Sequence, residues 1–206
     1  MTAVRFGVWI PPVIASHSKP KAKPGKDRRW TFDETVAELP ESNQPTELWD
    51  GKLIMSPSPP FFHQDIVASF YKLLDGWVRE HRLGKVGIAP LDMILTQHNV
   101  TQPDIFFVSN ERLGILTDRL RGAVDLAVEV ISLGSRQRDR LAKRDLYEQH
   151  GVKEYWIIDP EAQTVEVLFL EAGAYQLAGR WRPGERARSR LLPGFEIDLT
   201  PLFAES

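Results

Sequence analysis

The segment Asp125-Leu126-Ala127-Val128-Glu129-Val130-Ile131-Ser132 decides how the chain is read. Its apolar, β-branched character suits a buried strand, yet a carboxylate stands in the middle of it at Glu129. Burying an ionised carboxylate is costly unless a cation or hydrogen bonds compensate. Strand alternation puts Asp125, Ala127, Glu129 and Ile131 on one face and Leu126, Val128 and Val130 on the other, so something must meet Glu129 on its own face.

Two flanking segments can supply that partner. Upstream, Gln102-Pro103-Asp104-Ile105-Phe106-Phe107-Val108 places Asp104 at the head of a second strand-like run. Downstream, Ser135 to His150 reads as a helix stopped by Gly151. On it Asp139, Lys143 and Tyr147 recur at intervals of four and share one face, which lets Lys143 point inward. A surface ion pair between Asp139 and Lys143, worth only about 0.3–0.5 kcal/mol, is the competing reading. Two carboxylates brought together without a cation repel, so Asp104 and Glu129 suggest a divalent metal. A nearby lysine then suits orienting a nucleophile or neutralising charge on a phosphate. The bland alternative is a set of structural ion pairs with neighbouring arginines. The helix also carries Arg136, Arg138, Arg140 and Arg144, a cationic group suited to a phosphate backbone, although Asp139, Asp145 and Glu148 partly offset it.

Composition narrows the class. At 206 residues and 42% apolar content, the chain can bury the core of one ordinary domain. A net charge of -2 gives no global basicity, so contact with nucleic acid would need a local patch. The absence of cysteine excludes disulfides, thiolate metal sites and cysteine nucleophiles, leaving oxygen and imidazole as metal donors. No apolar run approaches the ~20 residues that span a bilayer, and the start lacks the pattern of a secretory signal. The expectation is a soluble cytoplasmic protein.

Residues 1–29, rich in proline and in the bases Lys19, Lys21, Lys23, Lys26, Arg28 and Arg29, read as a flexible tail ahead of a domain over 30–206. Thr31-Phe32-Asp33-Glu34 has capping-box spacing for a short helix to Leu39. Asp50-Gly51 between apolar runs predicts a hairpin over Glu47–Met55, with Glu47 at a solvent-facing strand position. From His63 to His81, the residues Ile66, Val67, Phe70, Leu73, Leu74 and Trp77 form one helical stripe; His63 reads as a helix-end hydrogen-bonder. Val86–Leu95 reads as one strand joined through Thr96–Asn99 to the Asp104 strand, with Asp92 either a further ligand or a solvent-facing edge residue. Further strands are expected over Glu154–Asp159, Thr164–Leu170, Ala174–Leu177 and Phe195–Leu199. The order of elements suggests an α/β sandwich around a mixed sheet.

Together, Glu47-Leu-Trp-Asp-Gly-Lys-Leu-Ile-Met-Ser-Pro57, Gln102-Pro-Asp104, Val128-Glu-Val-Ile-Ser132 and the run from Asp139 through Lys143 and Tyr147 to Gly151-Val-Lys-Glu-Tyr-Trp-Ile-Ile-Asp-Pro160 resemble the Uma-two family of restriction-endonuclease-like proteins, a branch of the PD-(D/E)XK nuclease superfamily. The resemblance covers roughly residues 30 to 203 and rests on the order of these motifs more than on any one. It implies a restriction-endonuclease-like α/β sandwich, a central mixed β-sheet flanked by helices with extra β-hairpins. It implies Asp104 and Glu129 as metal-binding acids, joined by the carbonyl of Val130, and Mg²⁺ or Mn²⁺ as the ion. The superfamily's simplest pattern places its lysine two residues after the second acid, where this chain has Ile131; the resemblance moves that lysine to Lys143. Glu47 matches an acid that relatives place near the site. The implied activity is hydrolysis of phosphodiester bonds in DNA by a metal-dependent endonuclease, with Tyr147 either on a phosphate or simply packed. Cutting both strands would need two sites and hence a homodimer. The alternative is a nuclease-like fold that no longer cuts and serves as a nucleic-acid-binding or protein-interaction module.

Overall fold

The computed structural model describes residues 28–39, 44–131 and 138–204. Its centre is a six-stranded mixed sheet of order β11-β10-β9-β8-β6-β3, built from β3 (Gly84–Ile88), β6 (Ile105–Ser109), β8 (Leu126–Val130), β9 (Glu154–Asp159), β10 (Thr164–Glu171) and β11 (Ala174–Trp181). All neighbours are antiparallel except β8 and β9, which run parallel. A parallel pair needs a crossover, and the connection here contains α3 (Arg138–His150). The expected α/β sandwich with a central mixed sheet is therefore the observed architecture.

Alternation along β8 divides the core as its sequence predicts. Leu126, Val128 and Val130 pack with Ile66, Val67, Phe70, Leu74 and Val78 of α2 (Phe61–Glu80) and with Trp156 and Ile158. On the opposite face Ala127 packs with Tyr147 of α3, Phe106, Tyr155 and Ile157. The two helices therefore cover the two faces, and β8 between them is buried along its whole length.

A second, five-stranded sheet of order β2-β1-β5-β4-β7 contains β1 (Thr46–Trp49), β2 (Lys52–Met55), β4 (Met93–Thr96), β5 (Asn99–Thr101) and β7 (Leu120–Arg121). Its hairpin turns at Asp50 (φ 49°) and Gly51 (φ 76°), both left-handed as a tight two-residue turn requires. Ahead of it, α1 (Phe32–Glu38) carries the expected capping box between Thr31 and Glu34. Residues 1–27 of the expected tail lie outside the described residues. Its last two members are engaged: Arg28 bonds Glu34 and Glu38 and covers the Trp30 ring, and Arg29 pairs with Asp50. A small sheet of β12 (Arg186–Arg188) and β13 (Glu196–Asp198), with the short α4 (Leu199–Leu202), closes the chain.

Some expectations are corrected. Val86–Leu95 is not one strand: the chain breaks at the cis Ala89–Pro90 bond, and β3 and β4 fall in different sheets. Proline removes a ladder donor and tolerates the cis bond, which fits a break there. Leu73 lies off the buried stripe of α2, at 48% exposure. Among the described residues no helix is long and apolar enough to cross a membrane.

Candidate functional site

Register explains how the two acids meet. In the antiparallel pairing of β6 with β8, Ile105 faces Val128 at the end of the ladder; continuing that register by one step brings Asp104 beside Glu129. Directly opposed residues share a face and lie about 4.5–5.5 Å apart at Cβ. The Val130 amide donates to Asp104 Oδ2 at 2.8 Å, locking this alignment.

Lys143 approaches from α3. Its Nζ donates to both Glu129 oxygens at 2.9 Å and lies 3.1 Å from Glu47 Oε1. The inward lysine is thus observed; the side chain of Asp139 lies outside the described residues. One turn along α3, the Tyr147 hydroxyl donates to Glu129 Oε1 at 2.6 Å. Tyr147 is fully buried and packs against Tyr155.

Glu47 corrects the expectation of a solvent-facing position. It is 7% exposed because β1 lies between β2 and β5 and not at the sheet's edge. Its Oε1 accepts from the Gln102 amide at 2.7 Å and its Oε2 from the Trp49 indole at 3.1 Å. Gln102 also donates from its side chain to Asp92 Oδ1, and Arg119 donates to Asp92 Oδ2, each at 2.7 Å. Asp92 is thus neither an edge residue in solvent nor aimed at the acid pair; it braces the Gln102-Pro103-Asp104 link between the two sheets.

His63, read from the sequence as a helix-end hydrogen-bonder, takes its partner from the acid pair. It sits in the first turn of α2, 7% exposed, with Nε2 at 3.3 Å from Asp104 Oδ2 and Nδ1 buried without a protein partner among the described residues. A signal existed in the sequence: counting 63, 66, 67, 70 and 74 puts His63 on the buried stripe. The expectation for Arg136, and for the side chains of Arg138 and Arg140, lies outside the described residues. Arg144 is half-buried, and its Nε has no partner among the described residues.

Electrostatically the site holds three carboxylates, Glu47, Asp104 and Glu129, around one ammonium. Burial pushes the Glu129 carboxyl up to about 7; Lys143 opposes this, and the charges of Asp104 and Glu47 add to it. Burial alone would lower Lys143, but the charges of Glu129, Glu47 and Asp104 outweigh it and hold the ammonium firmly protonated. Among the described residues no group of three or more His, Asp or Glu side chains is placed so as to hold a metal ion as it stands. The donor set nevertheless suits a divalent cation: negative charge is in excess, hard oxygens are at hand from Asp104, Glu129 and the Val130 carbonyl, and a buried imidazole borders Asp104.

A mixed sheet sandwiched between helices, with acids opposed across two strands and a helix-borne lysine on them, defines the restriction-endonuclease-like class of fold. Residues 33–200 match the Uma2 family, described as "Putative restriction endonuclease", and the chain belongs to that family. It is also similar to the solved structure of "a putative nuclease belonging to DUF820" from Anabaena variabilis, at 23% identity and a TM-score of 0.69, over 84% of this chain and 97% of that one. That likeness establishes the fold, and the family membership supports a nuclease. None of the curated proteins matches the chain.

Proposed function

We infer that this protein is a metal-dependent endonuclease hydrolysing phosphodiester bonds in DNA. The observation that carries the reading is the meeting of Glu129, Lys143 and Glu47 within 3.1 Å beside Asp104, in a chain of this family. Asp104 and Glu129, with the Val130 carbonyl, would hold Mg²⁺ or Mn²⁺. When bound, such an ion polarises a phosphoryl oxygen and lowers the pKa of a coordinated water.

The other functions belong to the chain's own groups. Lys143 keeps a full positive charge at the acid pair, where it can neutralise charge that builds on a phosphate or orient a water. Glu47 fixes the ammonium from the second sheet. Tyr147 holds Glu129 Oε1 and so sets which way the carboxylate faces. Plasmid or short duplex DNA incubated with the protein and Mg²⁺ or Mn²⁺ tests the assignment: Glu129→Ala and Lys143→Ala should lose cleavage. If both variants cut as well as the parent, the reading is wrong.

One observation favours the second reading, a non-cutting nucleic-acid-binding or protein-interaction module: among the described residues the Lys143 ammonium is engaged by carboxylates. Calorimetric titration with Mn²⁺ separates the two. Binding abolished by Asp104→Ala supports the enzyme, and no binding at millimolar metal supports the module.

A further inference from the structure

His63 is held on the buried stripe of α2 by Ile66, Val67 and Phe70, whose side chains belong to the main core. That anchoring delivers the imidazole to the end of β8 from the face opposite to α3. Its Nε2 stands 3.3 Å from Asp104 Oδ2, and the backbone carbonyl of Val130 and the charge of Glu129 both act on the ring. The imidazole therefore faces Asp104, one of the acids assigned to the cation, at the end of β8.

The 3.3 Å separation is informative. Two ligands at adjacent vertices of an octahedral ion, each ~2.1–2.2 Å from it, lie ~3.0–3.1 Å apart. A side-chain pair at this distance can serve one ion with little movement. Hard oxygen donors alone suit Mg²⁺, whereas an imidazole nitrogen shifts preference toward transition metals.

We propose that His63 Nε2 is a nitrogen ligand of the cation at Asp104 and Glu129, and that it makes the site select Mn²⁺ over Mg²⁺. This inference rests on the metal-dependent reading of the site and adds a ligand and a selectivity to it. His63→Asn is the informative variant, because its amide can still donate to Asp104 while removing the ring nitrogen.

The test is calorimetry with Mn²⁺ and with Mg²⁺ on the full chain, together with electron spin-echo spectroscopy of the Mn²⁺ form. Thermal melts of each variant confirm that it folds. The parent should bind Mn²⁺ at least about tenfold more tightly than Mg²⁺ and show modulation from a directly bound nitrogen. His63→Asn should lose that modulation and weaken Mn²⁺ on the order of tenfold or more, with Mg²⁺ affinity nearly unchanged. Mn²⁺ binding that Asp104→Asn abolishes but His63→Asn leaves intact, with no nitrogen modulation, overturns the His63 assignment alone. A folded parent that binds neither ion at millimolar concentration overturns this assignment and the metal-dependent reading together. If His63→Asn fails to fold, the parent's own spectrum decides: bound nitrogen supports the assignment and its absence refutes it.

Discussion

Glu129 and Glu154 lie on adjacent parallel strands, both nearly or fully out of water, and they are satisfied in opposite ways. Among the described residues Glu154 is met by neutral donors only: the Trp156 indole at 2.7 Å, the Ser189 hydroxyl at 2.6 Å, and the Arg190 and Leu191 amides at 2.7 and 2.8 Å. Those donors come from its own strand and from one loop, and they saturate it. Glu129, among the same residues, faces one ammonium and a phenol, while two further acids crowd it. One carboxylate is a finished structural joint; the other is left in an excess of negative charge. Burial of an acid therefore does not by itself mark function. What marks it is an incomplete balance of charge after the protein's own groups are counted.

The largest expected effect is on activity. Lys143→Ala should lower duplex cleavage by roughly 10²–10³-fold or more, measured as plasmid nicking over time, whereas Glu154→Gln should leave cleavage near the parent's at a temperature where it is folded. Equal losses in the two would erase the distinction. Next comes stability. Glu154→Ala strands several buried donors, each worth about 1–3 kcal/mol, so chemical denaturation should register a loss of roughly 3 kcal/mol or more.

Glu129→Gln should cost less, about 1–2 kcal/mol, because relief of repulsion from Asp104 and Glu47 offsets part of the lost pairing with Lys143, which Glu47 still holds, and the amide oxygen still accepts from Tyr147. A Glu129→Gln loss as large as that of Glu154→Ala would break the comparison. The smallest effect belongs to Asp125, a third buried carboxylate. Burial raises its pKa, but bonds from Lys153, the Ser109 amide and Arg112 outweigh that and hold it below the usual value. A depressed folded pKa means stability present above the ordinary Asp value of about 3.9 and lost as pH falls through the folded one. Acid titration of the melting temperature should therefore show a decline below that range that is blunted in Asp125→Asn.

How far the sequence carried this reading depended on whether a residue's fate was local. Glu129 announced itself because its flanks left no doubt about the strand, and Lys143 followed from helical spacing with Tyr147. The hairpin at Asp50-Gly51 and the capping box at Thr31 and Glu34 are likewise set within a few residues. Glu47 was misjudged because its burial is decided by β5, which pairs with β1 across some fifty positions of chain, at Leu48 and Val100. No alternation within β1 records that neighbour. His63 sat on the legible stripe, yet its contact with Asp104 is tertiary and leaves no periodic trace. The split of Val86–Leu95 turns on Pro90, which cannot donate to a ladder, so the apolar run around it does not continue as one strand.

The ammonium of Lys143 touches an acid from each of the two large sheets, Glu47 from one and Glu129 from the other. It works as a rivet between plates. Any anion that pulls the amine toward itself must loosen that fastening, so how firmly a ligand is gripped and how rigidly the Thr46–Met55 hairpin is seated become one mechanical variable. Amide exchange in that hairpin should quicken when the rivet is drawn.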